Sequence, residues 1–285
     1  MHTTSATLVA AVTESLEAEF MYRCETNTPE PARSLLGLAT TRIADGVALS
    51  MRNDPSGYWS KALGFGTREP VSAELIDRVL DFYRAQDSPR AAIQIAPSAR
   101  PENWESILAT RSLRPGTTLL KLACPIGEAR PAGTTNLRVG PVTESDAQEW
   151  AAVIIGTFFG EPYEGLTDMY TALASHPDFQ AFAVWDGSDI VAGASLFIDG
   201  ELGHLNSGAT LAGHRGQGAQ SALIAARAEA ARKAGCRWLV TEVAKPSSEG
   251  ANPSLNNMQR AGLHVLYERQ NVIWEGDNAG DVAAA

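Results

Sequence analysis

Cysteine is scarce in this sequence and badly placed for bonding: Cys24, Cys124 and Cys236 are odd in number and far apart. That spacing excludes a disulfide framework and a CxxC metal site, so buried, reduced thiols and no metal are expected. Long apolar runs are missing too. None approaches the roughly 18 residues of a membrane span, which predicts a protein without a membrane partner. Residues 1–12 carry no Lys or Arg ahead of their short apolar patch and run on into Glu14, Glu17 and Glu19. A signal peptide does not look like that, and a cytoplasmic location is expected. Basic charge is also short, since 23 Lys and Arg against 33 Asp and Glu leave a net charge of -10. With no concentrated basic face, nucleic-acid binding is disfavoured and cationic or neutral partners are favoured.

What is present suffices for two globular domains. The 285 residues, 44% of them hydrophobic, correspond to about two domains of roughly 150 residues each. Leu8, Val12, Leu16 and Phe20, four apart, predict a helix over residues 6–22, followed by a proline-bearing loop over 27–34. A hairpin is expected around Asp45-Gly46 within 39–51, then a strand over 58–65 and a helix over 72–84. A strand at 92–96, a helix at 104–110 and a strand at 117–122 complete this half. Residues 125–133, rich in Pro and Gly, form the one linker-like stretch. Beyond it the order recurs: strand 137–142, helix 144–155, strands 182–185, 190–197 and 202–211, helix 218–234, strand 237–243, helix 253–261, strand 263–274. The expected division is 1–126, a linker at 127–136, and 137–285, with 276–285 a frayed tail.

The densest signal is Gly213-His214-Arg215-Gly216-Gln217-Gly218-Ala219-Gln220, which runs straight into Ser221-Ala222-Leu223-Ile224. A glycine-rich turn that opens an apolar helix leaves first-turn N–H groups without partners or side-chain cover, and so makes a socket for phosphate. Spacing separates three such loops. A Walker loop is excluded, because Ala219 and Gln220 follow Gly218 where Lys and Ser/Thr are needed. A dinucleotide fingerprint fits Gly216 and Gly218, with Glu242 downstream for a ribose. It puts Ser221 at the third glycine, however, and follows an antiparallel meander where a first strand is usual. The third pattern, Arg-x-x-Gly-x-Gly/Ala, is met by Arg215 and Gly218, with Gln220 in the last place.

On that loop, and on the block from Asn252 to Leu263, the second half resembles the GNAT superfamily of acyl-CoA-dependent N-acyltransferases over residues 137–275. Residues 35–123 resemble it weakly. The resemblance implies an α/β (α+β) protein of two tandem GNAT-like domains, each a mixed, mainly antiparallel sheet flanked by helices. It implies acetyl-CoA or another short acyl-CoA as co-substrate, with pantetheine along Ala209, Thr210 and Leu211. Pyrophosphate would then sit on the amides of Arg215, Gly216, Gln217, Gly218, Ala219 and Gln220. Asn257 matches the family's cofactor-facing Asn, on a helix capped by Asn252 and Pro253 and stopped by Gly262. The first half reads as degenerate. In its counterpart loop, Gly64-Phe65-Gly66-Thr67-Arg68-Glu69-Pro70, a carboxylate and a proline without N–H stand against phosphate. One acyl-CoA per chain is therefore expected.

Acyl transfer to an amine needs help with deprotonation, because a free alkylamine has a pKa near 10.4. Glu242, at the end of the strand where the family parts its sheet, is the first candidate base, with His204 and Glu201 next. The family's usual general acid is a Tyr whose place is taken here by Met258, which leaves Tyr267 as the candidate substitute. Substrate contacts are expected where the halves meet, from Phe158 and Phe159 on one side and Asn53 and Trp59 on the other. Two function classes follow. One is N-acetyl (or short acyl) transfer to an amine of a small molecule, by a monomer or homodimer. The other, prompted by the absent Tyr and the degenerate half, is a non-catalytic acyl-CoA-binding regulator. A dinucleotide-binding protein stands behind both.

Overall fold

The computed structural model describes residues 2–130, 133–161, 163–246 and 252–276, with side chains from residue 10 onward. In chain order the elements are α1 (His2–Thr26), α2 (Ala32–Leu36), β1 (Leu38–Ile43), β2 (Gly46–Met51), β3 (Lys61–Leu63), α3 (Ala73–Ala85), β4 (Arg90–Ile93), α4 (Trp104–Thr110) and β5 (Arg114–Pro125). They continue with β6 (Arg138–Pro141), α5 (Ala147–Phe159), α6 (Glu164–Ala174), β7 (Phe179–Asp186), β8 (Asp189–Asp199), β9 (Leu202–Thr210), α7 (Ala219–Lys233), β10 (Trp238–Ala244), α8 (Pro253–Arg260) and β11 (His264–Glu275). The chain divides into two compact units, one of Met1–Thr26, Arg33–Leu119 and Tyr267–Ala285, the other of Asn27–Ala32 and Leu120–Leu266. Each is a mixed, mainly antiparallel sheet flanked by helices.

In the first unit the strands run β1-β2-β3-β4-β11, with the start of β5 beyond. The β1–β2 and β2–β3 pairs are antiparallel, while β3 and β4 are parallel and joined through α3. Ser72 starts α3 by accepting a hydrogen bond from the Leu75 amide, and Leu75, Ile76, Val79, Leu80 and Tyr83 face the core. A buried polar network fastens β11 to α1 and β4. The Arg269 guanidinium reaches Glu14 at 2.6 Å, Glu17 at 2.7 Å and Gln94 at 3.0 Å, all at 2% exposure or less. Two carboxylates around one guanidinium satisfy most of its donors, the condition under which buried charge is tolerable.

In the second unit the order is β10-β9-β8-β7-β6, with the end of β5 beside β10. Strands β6 to β9 form an antiparallel meander, and β10 returns parallel to β9 after α7. Leu223, Ile224, Ala228 and Ala231 of α7 pack on Leu196, Leu205 and Leu239 of the sheet.

Three features depart from the sequence expectations. The Pro/Gly-rich stretch is packed and not a free tether: the Ile126 amide donates to the Arg237 carbonyl at 2.8 Å, and Ala129 is buried in the second core. The division falls inside β5 instead, and the last strand counts with the first unit. Helix α6 was unforeseen, although Leu166, Met169, Tyr170 and Leu173 carry its period. Of the expected frayed tail, residues 277–285 lie outside the described residues.

The loop of the first unit that mirrors the glycine motif is already occupied. The Asp45 carboxylate, at the β1–β2 turn, accepts from the amides of Gly66 (3.4 Å), Thr67 (2.8 Å), Arg68 (2.6 Å) and Glu69 (3.2 Å). Partial burial would raise the Asp45 pKa, but the amides of Arg68 and Glu69, together with Thr67, outweigh it and hold the carboxyl below its ordinary value. A depressed carboxyl contributes stability that is present above its unfolded pKa and is lost as pH falls through the folded one. Asp45→Ala is thus expected to destabilise the protein at pH 7 by about 1 kcal/mol, a charged hydrogen-bond value reduced for solvent exposure. Denaturant titration at pH 7 and pH 3 checks this: the gap between wild type and variant should close at pH 3, and an equal gap at both would exclude the role.

Candidate functional site

Strand β9 ends at Thr210, and a 3-10 turn (Ala212–His214) carries the chain to the loop that opens α7. Gly216 and Gly218 lie at φ +78° and +81°, where side chains are strained. A Cβ on Gly218 would fall 2.4 Å from the Thr134 carbonyl oxygen, whereas one on Gly216 would meet nothing within 4 Å. Among the described residues, the amides of Gly216, Gln217, Gly218, Ala219, Gln220 and Ser221 find no acceptor; the first bond of the helix runs from the Ala222 amide to the Gly218 carbonyl. The unpaired first-turn amides expected there are present.

The socket opens into a cleft of about 770 Å³. Gly208, Ala209, Thr210, Arg215, Gly216, Gly218, Ala219, Gln220 and Asn257 line it, as do Phe158, His214 and Arg260. No Asp or Glu lines it among the described residues. In a chain of net charge -10 that is a local reversal of sign, suited to an anionic ligand. Leu211 and Gln217 are absent from the lining: Leu211 packs against the core, and the Gln217 amide group folds back on the Gly213 carbonyl at 3.3 Å.

Gln220, which departs from the family's Gly/Ala, has a structural use. Its side chain donates to the Ser254 hydroxyl at 3.0 Å and accepts from the Asn257 amide, which in turn accepts from Arg260. Helix α8 is thereby tied to the first turn of α7. Its own start is held by Asn252, whose Oδ1 accepts from the amides of Ser254 and Leu255.

At the inner end of the cleft the sheet is irregular twice over. Gly193 pairs with Ala209 and Ser195 with Asn206, so Ser207 and Gly208 together face Ala194 in a β-bulge. Ser207 sits at φ +53°, and a Cβ on Gly208 would meet nothing within 4 Å. The parallel pairing of β10 with β9 stops at Val240 and His204, although both strands run on. An acyl group needs such a parting to reach an amine.

The base candidates meet one another. Glu242 Oε1 lies 2.9 Å from His204 Nε2, and Glu242 Oε2 lies 3.0 Å from it and 3.2 Å from Lys121 Nζ. His204 and Lys121 are buried, while the Glu242 side chain is 14% exposed. Glu201 instead pairs with Arg237 on the surface. Tyr267 belongs to the first unit, where its hydroxyl donates to Glu14 at 2.6 Å, and it does not line the cleft. Met258 is a core residue. Phe158 is 52% exposed on the cleft wall, with the Phe159 ring 6.2 Å away. Trp59 is not the exposed edge that its aromatic setting suggested; at 1% exposure its ring is core, and the Asn53 amide is spent on the Leu35 carbonyl. Sequence reasoning missed Lys121, Ser207, Tyr170, Arg227 and Arg260. Tyr170 was hidden with α6, and Arg227 lies in a helix read as apolar.

Known proteins resemble the chain in this region. Residues 145–253 match the model of the Acetyltransferase (GNAT) family. Among solved structures, the chain is similar to a GCN5-related N-acetyltransferase from Kribbella flavida, at TM-score 0.58 and 19% identity over 86% of this chain and 93% of that one. It is similar to a tandem GNAT protein from the clavulanic acid biosynthesis pathway, at TM-score 0.58 and 14% identity over 93% and 95% of the two chains. At such identities the solved structures speak for the fold alone. No curated protein sequence matches. Residues 145–253 of the second half are thus similar to the GNAT acetyltransferase family, and the chain shares its fold with the tandem protein.

A graft at the bulge separates binding from folding. Gly208→Val sets a branched side chain into open cleft, so the melting temperature should hold while acetyl-CoA affinity falls about tenfold or more, the scale of about 1.4 kcal/mol of lost contact. Calorimetric titration reads this, and unchanged affinity would mean that the cleft is not the acyl-CoA site.

Proposed function

We propose that the second unit transfers an acetyl or other short acyl group from acyl-CoA to the amine of a small molecule. The observation that supports this most is the row of amides from Gly216 to Ser221, unpaired among the described residues and set beside Arg215 and Arg260 in a cleft with no carboxylate among its described lining residues. Pyrophosphate on those amides would lay pantetheine along Ala209 and Thr210 and bring the thioester to the bulge at Ser207 and Gly208. The amine nitrogen then attacks the thioester carbon, the carbonyl electron pair moves onto oxygen, and its return breaks the C–S bond. The CoA thiolate leaves without a strong acid, because a thiolate is a stable anion. The attacking nitrogen gives up its proton to the Glu242–His204 pair, directly or through water. A cytoplasmic location is part of the same proposal; no described helix is long and apolar enough to cross a membrane.

One observation favours the regulator reading. Both Glu242 oxygens are engaged by Lys121 and His204, and the place of the family's Tyr is a buried Met258. Release of free thiol from acetyl-CoA across a panel of primary amines decides between the two.

Acetyl-CoA should raise the melting temperature, by mass action worth about 2.7 kcal/mol at a hundredfold excess over its Kd, while NAD and ATP should not. A melt raised by NAD but not by acetyl-CoA would sink the proposal. Glu242→Gln is expected to lower turnover by about two to four powers of ten with acetyl-CoA affinity nearly unchanged. Because the change also leaves Lys121 facing a neutral amide, Lys121→Met with Glu242→Gln is the companion that restores charge balance. Full turnover in both variants would remove Glu242 from the mechanism.

A further inference from the structure

Arg227 occupies the sheet-facing side of α7 at 1% exposure, and burial pulls its pKa down to about 9, with no charge among the described residues to offset it. A buried guanidinium without a carboxylate is expensive, and breaking even requires that its donors be used. Nη1 donates to two carbonyls, those of Ser195 and Asn206, each at 3.1 Å, and Nε donates to the Leu223 carbonyl at 3.1 Å. Nη2 finds no partner among the described residues.

Those two carbonyls belong to one place. Ser195 and Asn206 are the cross-strand pair at which the β8–β9 register breaks, immediately before the bulge. In a trans peptide the carbonyl and the following N–H point to opposite sides, so an Asn206 oxygen turned to Arg227 turns the Ser207 N–H away from it. A charged donor on the oxygen polarises that peptide and makes its N–H a stronger donor. Side chains fix the rest: the Ser207 hydroxyl donates to Asn206 Oδ1 at 3.0 Å and lies 3.2 Å from the Tyr170 hydroxyl, and Ser195 also binds Asn206 Oδ1.

We propose that Arg227 is a positioning residue for acyl transfer, which grips the Ser195 and Asn206 carbonyls so that the Ser207 amide is aimed and strengthened as the donor to the thioester carbonyl. The assignment rests on the acyl-CoA reading of the cleft. As negative charge develops on the thioester oxygen, the polarised amide gains more than it does with the uncharged carbonyl, which is the condition for acceleration.

Infrared difference spectroscopy of acetyl-CoA carrying carbon-13 at the thioester carbonyl, bound to the full chain, reads this bond without any acceptor. In the wild type the bound carbonyl should absorb at lower frequency than free acetyl-CoA. In Arg227→Met the band should move back toward the free value, with the Kd for CoA itself within about threefold of wild type, since the phosphate socket does not touch this residue. With an amine that turns over, kcat should fall about tenfold or more with the KM for acetyl-CoA little changed. Should Arg227→Met fail to fold, Arg227→Gln, which keeps neutral donors and removes the charge, is read in the same way. A band that stays at the wild-type frequency in the folded variant, or a wild-type band at the free frequency, overturns the role of Arg227 and leaves the acyl-CoA reading standing. No acetyl-CoA binding by the wild type removes both.

Discussion

Several backbone N–H groups converging on one point demand an anion, and both halves of this chain are arranged around that demand. In the first unit the Asp45 carboxylate meets it from within, taking the amides of Gly66 to Glu69. In the second unit the amides from Gly216 to Ser221 find no such partner among the described residues. The loops differ less in shape than in whether the chain supplies its own negative charge. Degeneracy of the first half is therefore an internal occupation more than a loss, and the repulsive Glu69 and donor-free Pro70 are secondary to it.

Buried polarity is distributed by the same logic. In the first unit Arg269 is closed off by Glu14, Glu17 and Gln94, a set of partners that leaves no role but cohesion. In the second, Glu242 is shared by Lys121 and His204 where two strands part, and Arg227 holds carbonyls in place of carboxylates. Glu25 of the first unit is the exception, a fully buried carboxylate without a hydrogen-bond partner among the described residues, whose pKa burial pushes well up.

Local features of the sequence were legible. Period and capping marked α3, α7 and α8, and the glycine spacing marked the socket, because both are written in residues a few positions apart. Pairings between distant residues left no such trace: Lys121 with Glu242, Arg227 with Asn206 and Asp45 with Arg68 join side chains and backbone that only the fold brings together. The domain boundary failed for a related reason. Proline and glycine near residues 125–133 mark where a chain can bend, but Ile126 and Ala129 have apolar surface to bury and are drawn into a core. Trp59 failed because exposure is a property of what covers a residue, and nothing near it in the chain announces its cover.

The placement of β11 has a consequence for how the chain comes into being. The ribosome makes the first unit's helices and most of its strands early, yet Arg269, on the strand that completes it, emerges 255 residues after Glu14. Until then Glu14 and Glu17 are two like charges with no guanidinium between them, and the sheet edge at β4 is open. The second unit's own segments end at Leu266. Of the two units, the one begun first is therefore the one completed second.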